Sequence, residues 1–236
     1  MKYLIVNGDD FGASIGISRG ILEAHMQGIL TSTSFMVNMP ASQAAADSAQ
    51  ATPELSVGLH ADLTAEMRDP GPALEQRLAA TLAAQLRRFE QLMHRPPTHL
   101  DSHHNLHRDP RARPHFLELA RKLGLPLREH SPARYVSSFY GQWGGVSHLE
   151  QISVENLARL LRTELSEGVS ELGCHPGYVE PDFATSYAVE REVEVRTLCA
   201  PLIRSVLQEQ QIRLVSFHEL ATLPAAVPST ESLCPP

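Results

Sequence analysis

The stretch that decides the fold is Tyr3-Leu4-Ile5-Val6-Asn7-Gly8-Asp9-Asp10-Phe11-Gly12, close to the start of the chain. Its first five residues form a short apolar run rich in strand-forming side chains, which predicts a buried strand. Two carboxylates between two glycines then end the run. Residues 14–28 follow with apolar side chains at helical spacing, with Ser14 as the N-cap and Gly28 as the C-terminal stop. The stretch therefore predicts a strand–helix unit whose strand ends in acidic residues.

The same strand–helix alternation continues to about residue 216. Further strands are predicted at 34–37, 55–59, 98–102, 125–128, 170–174 and 212–216. Further helices are predicted at 41–51, 73–93, 110–123, 153–167 and 187–210, and residues 131–150 are predicted to be a long loop that walls or covers a site.

This alternation predicts an α/β fold with a parallel sheet and helices outside it. About seven strands favour a distorted, TIM-like (β/α) barrel, and a doubly wound open sheet is the alternative. We expect one catalytic domain over residues 1–236, because no domain linker interrupts the pattern. The Pro- and Ser-rich residues 225–236 are expected to form a frayed tail.

Composition limits the classes of partner. The net charge is −7 and the pI is about 5.9, so the chain lacks the basic character of a nucleic-acid-binding protein. No apolar run approaches the roughly 18 residues of a membrane span. The three cysteines have no paired spacing, which fits a reducing compartment. We therefore expect a cytoplasmic protein that binds no nucleic acid and does not span a membrane.

Side chains suited to catalysis follow four of the predicted strands. The first strand ends in Asp9 and Asp10, the third in His60, the fourth in Asp101-Ser102-His103-His104, and the sixth in His175. The C-terminal ends of parallel strands lie on one face of a barrel or sheet, and active sites gather there. The sequence therefore predicts that these side chains converge.

The residue types at these ends fit a catalytic metal site. One carboxylate and two imidazoles bind a divalent ion and leave positions open for water and substrate, and we assign these ligands to Asp10, His60 and His103. Asp9 is then free to act as the base that takes a proton from water. His175 is placed to act as the acid that protonates the leaving group.

Further residues are expected to support this site. Asp101 or Ser102 would orient a ligand imidazole, and His104 is a further candidate for support or substrate binding. Arg128 is the one basic residue expected near the strand ends. Structural interpretations stay open at this point: the acidic pair could cap the first helix, His60 could be a buried core histidine, and the His-rich residues 99–107 could be a polar surface loop.

With these residues in view, the chain resembles the YdjC-like family of carbohydrate deacetylases, the family of chitooligosaccharide deacetylase. The resemblance runs from residue 3 to about 220, and its segments follow the family's order. The matching segments are residues 5–12, 28–34, 36–38, 55–60, 63–64, 97–104, 174–178 and 213–217.

The resemblance implies a distorted TIM-like barrel and hydrolysis of the acetamide on an N-acetylated amino sugar, with release of acetate. It implies a divalent metal, Mg²⁺ first and Zn²⁺ as the alternative. The family's metal ligands fall on Asp10, His60 and His103, its base on Asp9 and its acid on His175. It also implies a small carbohydrate substrate and a homodimer.

Two departures from the family bear on the substrate. Many members have a third consecutive histidine where this chain has Asn105, and the segment between residues 64 and 97 is shorter than in typical chitooligosaccharide enzymes. A deacetylase of an N-acetylglucosaminyl lipid of the hopanoid type is therefore an alternative. A metal phosphoesterase on the same barrel would also use such residues, and so would a non-catalytic protein that binds a sugar or a metal.

Overall fold

The computed structural model describes residues 1–69, 71–180 and 185–223, so the predicted tail at 225–236 lies outside the described residues. The strands are β1 (Lys2–Phe11), β2 (Ser32–Phe35), β3 (Ser56–Ala61), β4 (Leu100–Ser102), β5 (Arg134–Val136), β6 (Gln142–Trp143), β7 (Val146–Ser147), β8 (Gly168–Cys174) and β9 (Ile212–Leu214). The helices are α1 (Ile15–Met26), α2 (Ser42–Gln50), α3 (Thr64–Arg68), α4 (Leu74–Met93), α5 (Arg113–Leu123), α6 (Val154–Thr163), α7 (Val189–Leu198) and α8 (Pro201–Glu209).

Seven of these strands form one parallel sheet, in the order β4-β3-β2-β1-β8-β5 with β9 also paired to β1. β9 pairs with the first residues of β1, whereas β2 pairs with the last ones. The sheet curls into a half-barrel with helices outside it, which confirms the predicted distorted α/β barrel. β6 and β7 form a separate antiparallel hairpin.

Residue alternation along β1 separates two cores. Leu4 and Val6 belong to the large apolar cluster that includes the buried side of α1. Tyr3 and Ile5 belong to a smaller cluster on the other face of the sheet. Because alternate strand residues share a face, the next positions on that inner face are Asn7 and Asp9. The inside of the half-barrel therefore changes from apolar to polar towards the C-terminal ends of the strands.

The predicted fifth strand at 125–128 is wrong. Leu127 forms one isolated bridge with Leu100, and the fifth strand of the sheet is β5, inside the segment predicted to be a loop. Pro126 explains the difference, because proline has no N–H to donate to a strand ladder. The predicted loop at 131–150 also contains the β6–β7 hairpin.

The predicted helix at 187–210 is two helices, α7 and α8. Ala200 separates them with an extended backbone, φ −66° and ψ 130°, and Pro201 begins the second helix. A residue before proline is disfavoured in the helical region, which accounts for the break. Among the described residues, no helix is both long and apolar enough to cross a membrane.

Candidate functional site

Asp9 and Asp10 reach the same cavity because β1 contains a bulge. Gly8 pairs with Thr33 and Phe11 pairs with Phe35, so β1 takes three steps where β2 takes two. Asp10 absorbs the extra residue with a positive φ of 71°, a region that aspartate tolerates better than most side chains. In a regular strand these neighbouring carboxylates would point to opposite faces. Here both line the cavity.

Asp10, His60 and His103 form a cluster of metal-ligand type. His60 is the penultimate residue of β3, and His103 directly follows β4. Asp10 Oδ1 lies 3.4 Å from His60 Nε2 and 3.1 Å from His103 Nδ1, and the three atoms all lie within 4.8 Å of one another. Asp10 Oδ1 is buried and has no hydrogen-bond partner of good geometry among the described residues. One carboxylate and two imidazoles that face one point fit a divalent cation.

Asp101 fixes the direction of the His60 ring. The two residues are opposite each other in the β3–β4 pairing, and His60 Nδ1 lies 2.7 Å from Asp101 Oδ1. When Nδ1 donates to that carboxylate, the lone pair of Nε2 faces Asp10, the arrangement of a carboxylate–histidine–metal site. Burial alone would lower the pKa of His60, but Asp101 and Asp9 raise this pKa to about 10. In the metal-free protein a proton therefore occupies the place that a cation would take.

Arg128 lies beneath this cluster, and its buried guanidinium pairs with three carboxylates. Its guanidinium donates to both oxygens of Asp9 at 2.8 Å, lies 2.8 Å from Asp101 Oδ2, and donates to Glu171 Oε1 at 2.7 Å. Burial raises the pKa values of Asp9 and Asp101, but the charges and hydrogen bonds of Arg128 and His60 together outweigh burial and lower both pKa values. Burial raises the pKa of Glu171 to about 7. Arg128 thus holds Asp9 in its charged form.

A buried polar network continues below Asp101. Ser34 Oγ donates to Asp101 Oδ2 at 2.6 Å and accepts from Asn7 Nδ2 at 2.7 Å. The same hydroxyl lies 3.1 Å from His99 Nε2. Because the single hydrogen of the Ser34 hydroxyl is donated to Asp101, the hydrogen in the contact between Ser34 and His99 must be on His99 Nε2. Gly58 leaves room for this ring, because a Cβ there would lie 2.5 Å from His99. The inner face of the sheet is thereby filled by hydrogen-bonded groups up to the site.

The four histidines of residues 99–107 have four different environments. His103 belongs to the metal-type cluster, and His99 lies in the network beneath it. His104 lies against His103 with ring centroids 3.9 Å apart and the ring planes tilted by 42°, and it lines the cavity with a positive φ of 54°. His107 is buried, with Nδ1 2.7 Å from Ser102 Oγ. Ser102 therefore orients His107 rather than His60, and Asp101 has the orienting contact.

His175 lies across the cavity from His60, directly after β8. Its Nε2 is 3.9 Å from Asp9 Oδ2. Burial lowers the pKa of His175 to about 4, although Asp9 and Asp10 oppose the shift. The ring is therefore neutral at pH 7 in the metal-free protein. Asp9 and His175 therefore lie next to each other beside the candidate metal site.

Helix α7 supplies residues that the sequence analysis missed. Arg191 Nη2 donates to Asp10 Oδ2 at 2.5 Å, and Glu194 Oε2 accepts the backbone N–H of His175 at 2.5 Å. Both side chains are buried. A signal was present, since Arg191 and Glu194 are three residues apart and share a helix face with Glu190. Charged residues on a helix face are usually solvated, whereas this face is buried.

The cavity above these residues measures about 510 Å³. Its walls combine the charged cluster with aromatic side chains from β5, from the segment after β5 and from the segment before α7. The aromatic wall residues are Tyr135, Phe139, Tyr140 and Tyr187. Charged groups and flat rings in one cavity suit a small polar molecule with an apolar face.

Comparison with known proteins gives one consistent family. The model of the YdjC-like protein family matches residues 3–209. A carbohydrate deacetylase of Geobacillus stearothermophilus is 33% identical, over 94% of this chain and 99% of that protein. A chitooligosaccharide deacetylase of Serratia marcescens is 34% identical, over 93% of this chain and 99% of that protein. A crystal structure from Enterococcus faecalis, titled as a candidate cellobiose-phosphate cleavage protein, superposes with a TM-score of 0.80 at 28% identity and covers 93% of this chain and 98% of that one.

Proposed function

Because the chain belongs to the YdjC-like protein family, we propose that it is a metal-dependent hydrolase that removes the N-acetyl group from an N-acetylated amino sugar or short chitooligosaccharide. The observation that carries the proposal is the cluster of Asp10, His60 and His103 with Asp9 and His175 beside it. The names of the Geobacillus and Serratia relatives support a carbohydrate amide as the substrate.

Asp10, His60 and His103 would hold the divalent ion, with Mg²⁺ as our first choice and Zn²⁺ as the alternative. When bound, the ion supplies Lewis-acid activation of a water molecule and of the acetamide carbonyl. Arg191 occupies Asp10 Oδ2 and leaves Oδ1 as the oxygen that faces the ligand position. Asp101 keeps His60 Nε2 directed at the same position.

Asp9 and His175 would move the proton. Asp9 is held charged by Arg128 and takes a proton as the water oxygen bonds to the acetyl carbon. His175 Nε2 lies 3.9 Å from Asp9 Oδ2, so this proton passes to the neutral imidazole. His175 then gives it to the sugar nitrogen as the C–N bond breaks. The products are the free amino sugar and acetic acid, which gives up its remaining proton to the amine or to solvent and leaves as acetate, and both residues return to their starting charge.

The charges of the cavity favour an amide over a phosphate ester. Arg128 and Arg191 are bound to buried carboxylates, and Arg108 pairs with Glu129 at 2.6 Å. These pairings leave the arginines of the described cavity wall neutralised, whereas a phosphate site needs free cations. The metal phosphoesterase and the cleavage of a phosphorylated disaccharide are therefore less favoured. A lipid-linked N-acetylglucosamine has the same reacting acetamide, so only assays with the two kinds of substrate distinguish this alternative from a sugar deacetylase. The cytoplasmic location and the homodimer stay predictions.

Acetate release from N-acetylglucosamine and N,N′-diacetylchitobiose tests the proposal. We expect Asp9→Asn and His175→Ala each to lower kcat by about 10² to 10⁴-fold, the usual range for loss of a general base or acid. Asp47→Asn, on the exposed side of α2, is the matched control and should keep the rate of the unmodified chain. Chelation of the metal should abolish acetate release.

Two outcomes would contradict this function. Acetate release that survives both site substitutions would exclude Asp9 and His175 as the proton carriers. Turnover of p-nitrophenyl phosphate without acetate release would favour the phosphoesterase, and acetate release confined to a glucosaminyl lipid would favour the lipid branch.

A further inference from the structure

The histidines of the site are held in two different ways. His60 and His107 are oriented through a ring nitrogen, by Asp101 and Ser102 respectively. His175 differs, because its Nδ1 is buried and has no hydrogen-bond partner among the residues that the structure describes. An imidazole without a ring partner is not oriented by its own hydrogen bonds. Its position must therefore come from its backbone and from packing.

The backbone of His175 is held on both sides by α7. Glu194 Oε2 accepts the His175 N–H at 2.5 Å, and Arg191 Nη1 donates to the His175 carbonyl oxygen at 3.3 Å. The two side chains are three residues apart and lie on one face of the helix. Glu194 is fully buried, so water does not replace it as an acceptor. One helix face thus fixes both peptide groups next to the imidazole.

Tyr187 keeps Glu194 in place. Its hydroxyl donates to Glu194 Oε1 at 2.5 Å and accepts the backbone N–H of Gly141 at 2.9 Å. Each oxygen of Glu194 therefore has its own donor. The Tyr187 ring also lies 5.5 Å from the His175 ring and stacks at 4.8 Å on Tyr140, which lines the cavity. The Glu194 carboxylate therefore holds both the backbone of His175, through its amide, and the Tyr187 ring that packs beside it.

We propose that Glu194 is a positioning residue for His175, which sets the imidazole against Asp9 by accepting the His175 amide and the Tyr187 hydroxyl together. The catalytic consequence rests on the proposed function, whereas the structural hold on His175 does not. Because Arg191 also binds Asp10, α7 sets the distance between the metal-ligand cluster and His175. Displacement of a reacting group by about 1 Å is enough to lower a rate by about 10²-fold.

Glu194→Leu in the full chain is the main test, since it removes both acceptor oxygens at similar volume. We expect kcat for acetate release to fall by about 30- to 100-fold with KM within about twofold. Tyr187→Phe keeps the amide acceptor and removes one donor, so we expect a smaller fall, about 3- to 10-fold. Glu192→Leu is the matched control, because Glu192 lies on the exposed side of the same helix, paired with Arg196, and should leave both constants unchanged.

Rescue by the conservative variant separates positioning from general loss of structure. Glu194→Gln retains a carbonyl oxygen for the His175 amide, and we expect it to recover kcat to within about fivefold of the unmodified chain. If Gln is as inactive as Leu, acceptance of the amide is not the role of Glu194 and the proposal is wrong. Unchanged kcat in Glu194→Leu would also overturn it. Should Glu194→Leu fail to fold, Tyr187→Phe and Glu194→Gln decide the question.

Hydrogen exchange of the His175 amide, followed by NMR, tests the hold without any substrate. We expect exchange to accelerate by at least about tenfold in Glu194→Leu and to be unchanged in Glu192→Leu. If the unmodified chain releases no acetate but the exchange result holds, the proposed function fails and the structural hold stands. If kcat falls while the exchange rate of this amide is unchanged, Glu194 acts in another way and the positioning proposal fails.

Discussion

His60 and His175 face each other across one cavity, but the two sides of that cavity are built differently. On the His60 side, the ring is fixed by Asp101, and Asp101 is fixed in turn by Arg128 and Ser34, all of them buried. On the His175 side, a helix outside the sheet holds the backbone and leaves a ring nitrogen without a hydrogen-bond partner in the described part of the chain. A metal ligand needs one fixed direction, whereas a residue that takes up and gives away a proton needs a ring that changes its bonding. The difference in support matches the difference in proposed role.

The two buried arginines show the same contrast. Arg128 contacts three carboxylates, those of Asp9, Asp101 and Glu171. Arg191 contacts one carboxylate, Asp10, together with the backbone carbonyls of His175 and Tyr187. Charge density is therefore concentrated on the His60 side. We expect the stability of the fold to depend more on Arg128 than on Arg191.

Replacement of each arginine by methionine should show the largest difference between the two sides, in the free energy of unfolding. We expect Arg128→Met to lower the free energy of unfolding by about 3–5 kcal/mol, because it leaves buried carboxylates without a countercharge. Arg191→Met should lower it by about 1–3 kcal/mol, since it leaves one carboxylate and two carbonyls. Urea denaturation of the metal-free proteins at pH 7 measures both values. Equal losses would mean that the two sides do not differ in their dependence on charge.

Asp101→Asn should lower the affinity of the site for the divalent ion much more than a substitution that does not touch His60. We expect the affinity for the divalent ion to fall by about 10- to 100-fold, because an amide orients and polarises the His60 ring less well than a carboxylate. Glu171→Gln is the control, since Glu171 touches Arg128 but is not among the hydrogen-bond partners of His60. It should change affinity by less than about threefold. Isothermal titration calorimetry measures both, and equal effects would remove the special role of Asp101.

Metal binding should release a proton on the His60 side only. The pKa of His60 is raised to about 10, so at pH 7 the ring is protonated and the ion must displace that proton. Affinity should therefore rise about tenfold per pH unit between pH 7 and 9. Burial lowers the pKa of His175 to about 4, so His175 contributes no proton in this range. Calorimetry in buffers of different ionisation enthalpy counts the protons, and an affinity independent of pH would contradict this assignment.

The sequence predicted the barrel and the convergence of residues at strand ends, because both follow from alternation along strands and from the shared direction of parallel strands. Asp10, His60 and His103 come together as expected, although their roles stay predictions. The bulge in β1 could not be predicted, because a sequence of two adjacent aspartates is compatible with a turn and with a bulge. The contacts of Arg191 and Glu194 could not be predicted either. Charged helix residues are normally solvated, and only the packing of α7 shows that this face is buried.

The bulge at Asp10 makes catalysis more fragile than the fold. Loss of one codon between those for Gly8 and Phe11 would restore a regular β1–β2 register and leave one aspartate where the site now has two. The strands and helices that support the barrel would keep their partners. A lineage of this family could in this way lose the proposed chemistry in one genetic step and keep a stable cavity. Relatives that bind an N-acetylated sugar without removing its acetyl group would then be recognised by the length of this one segment.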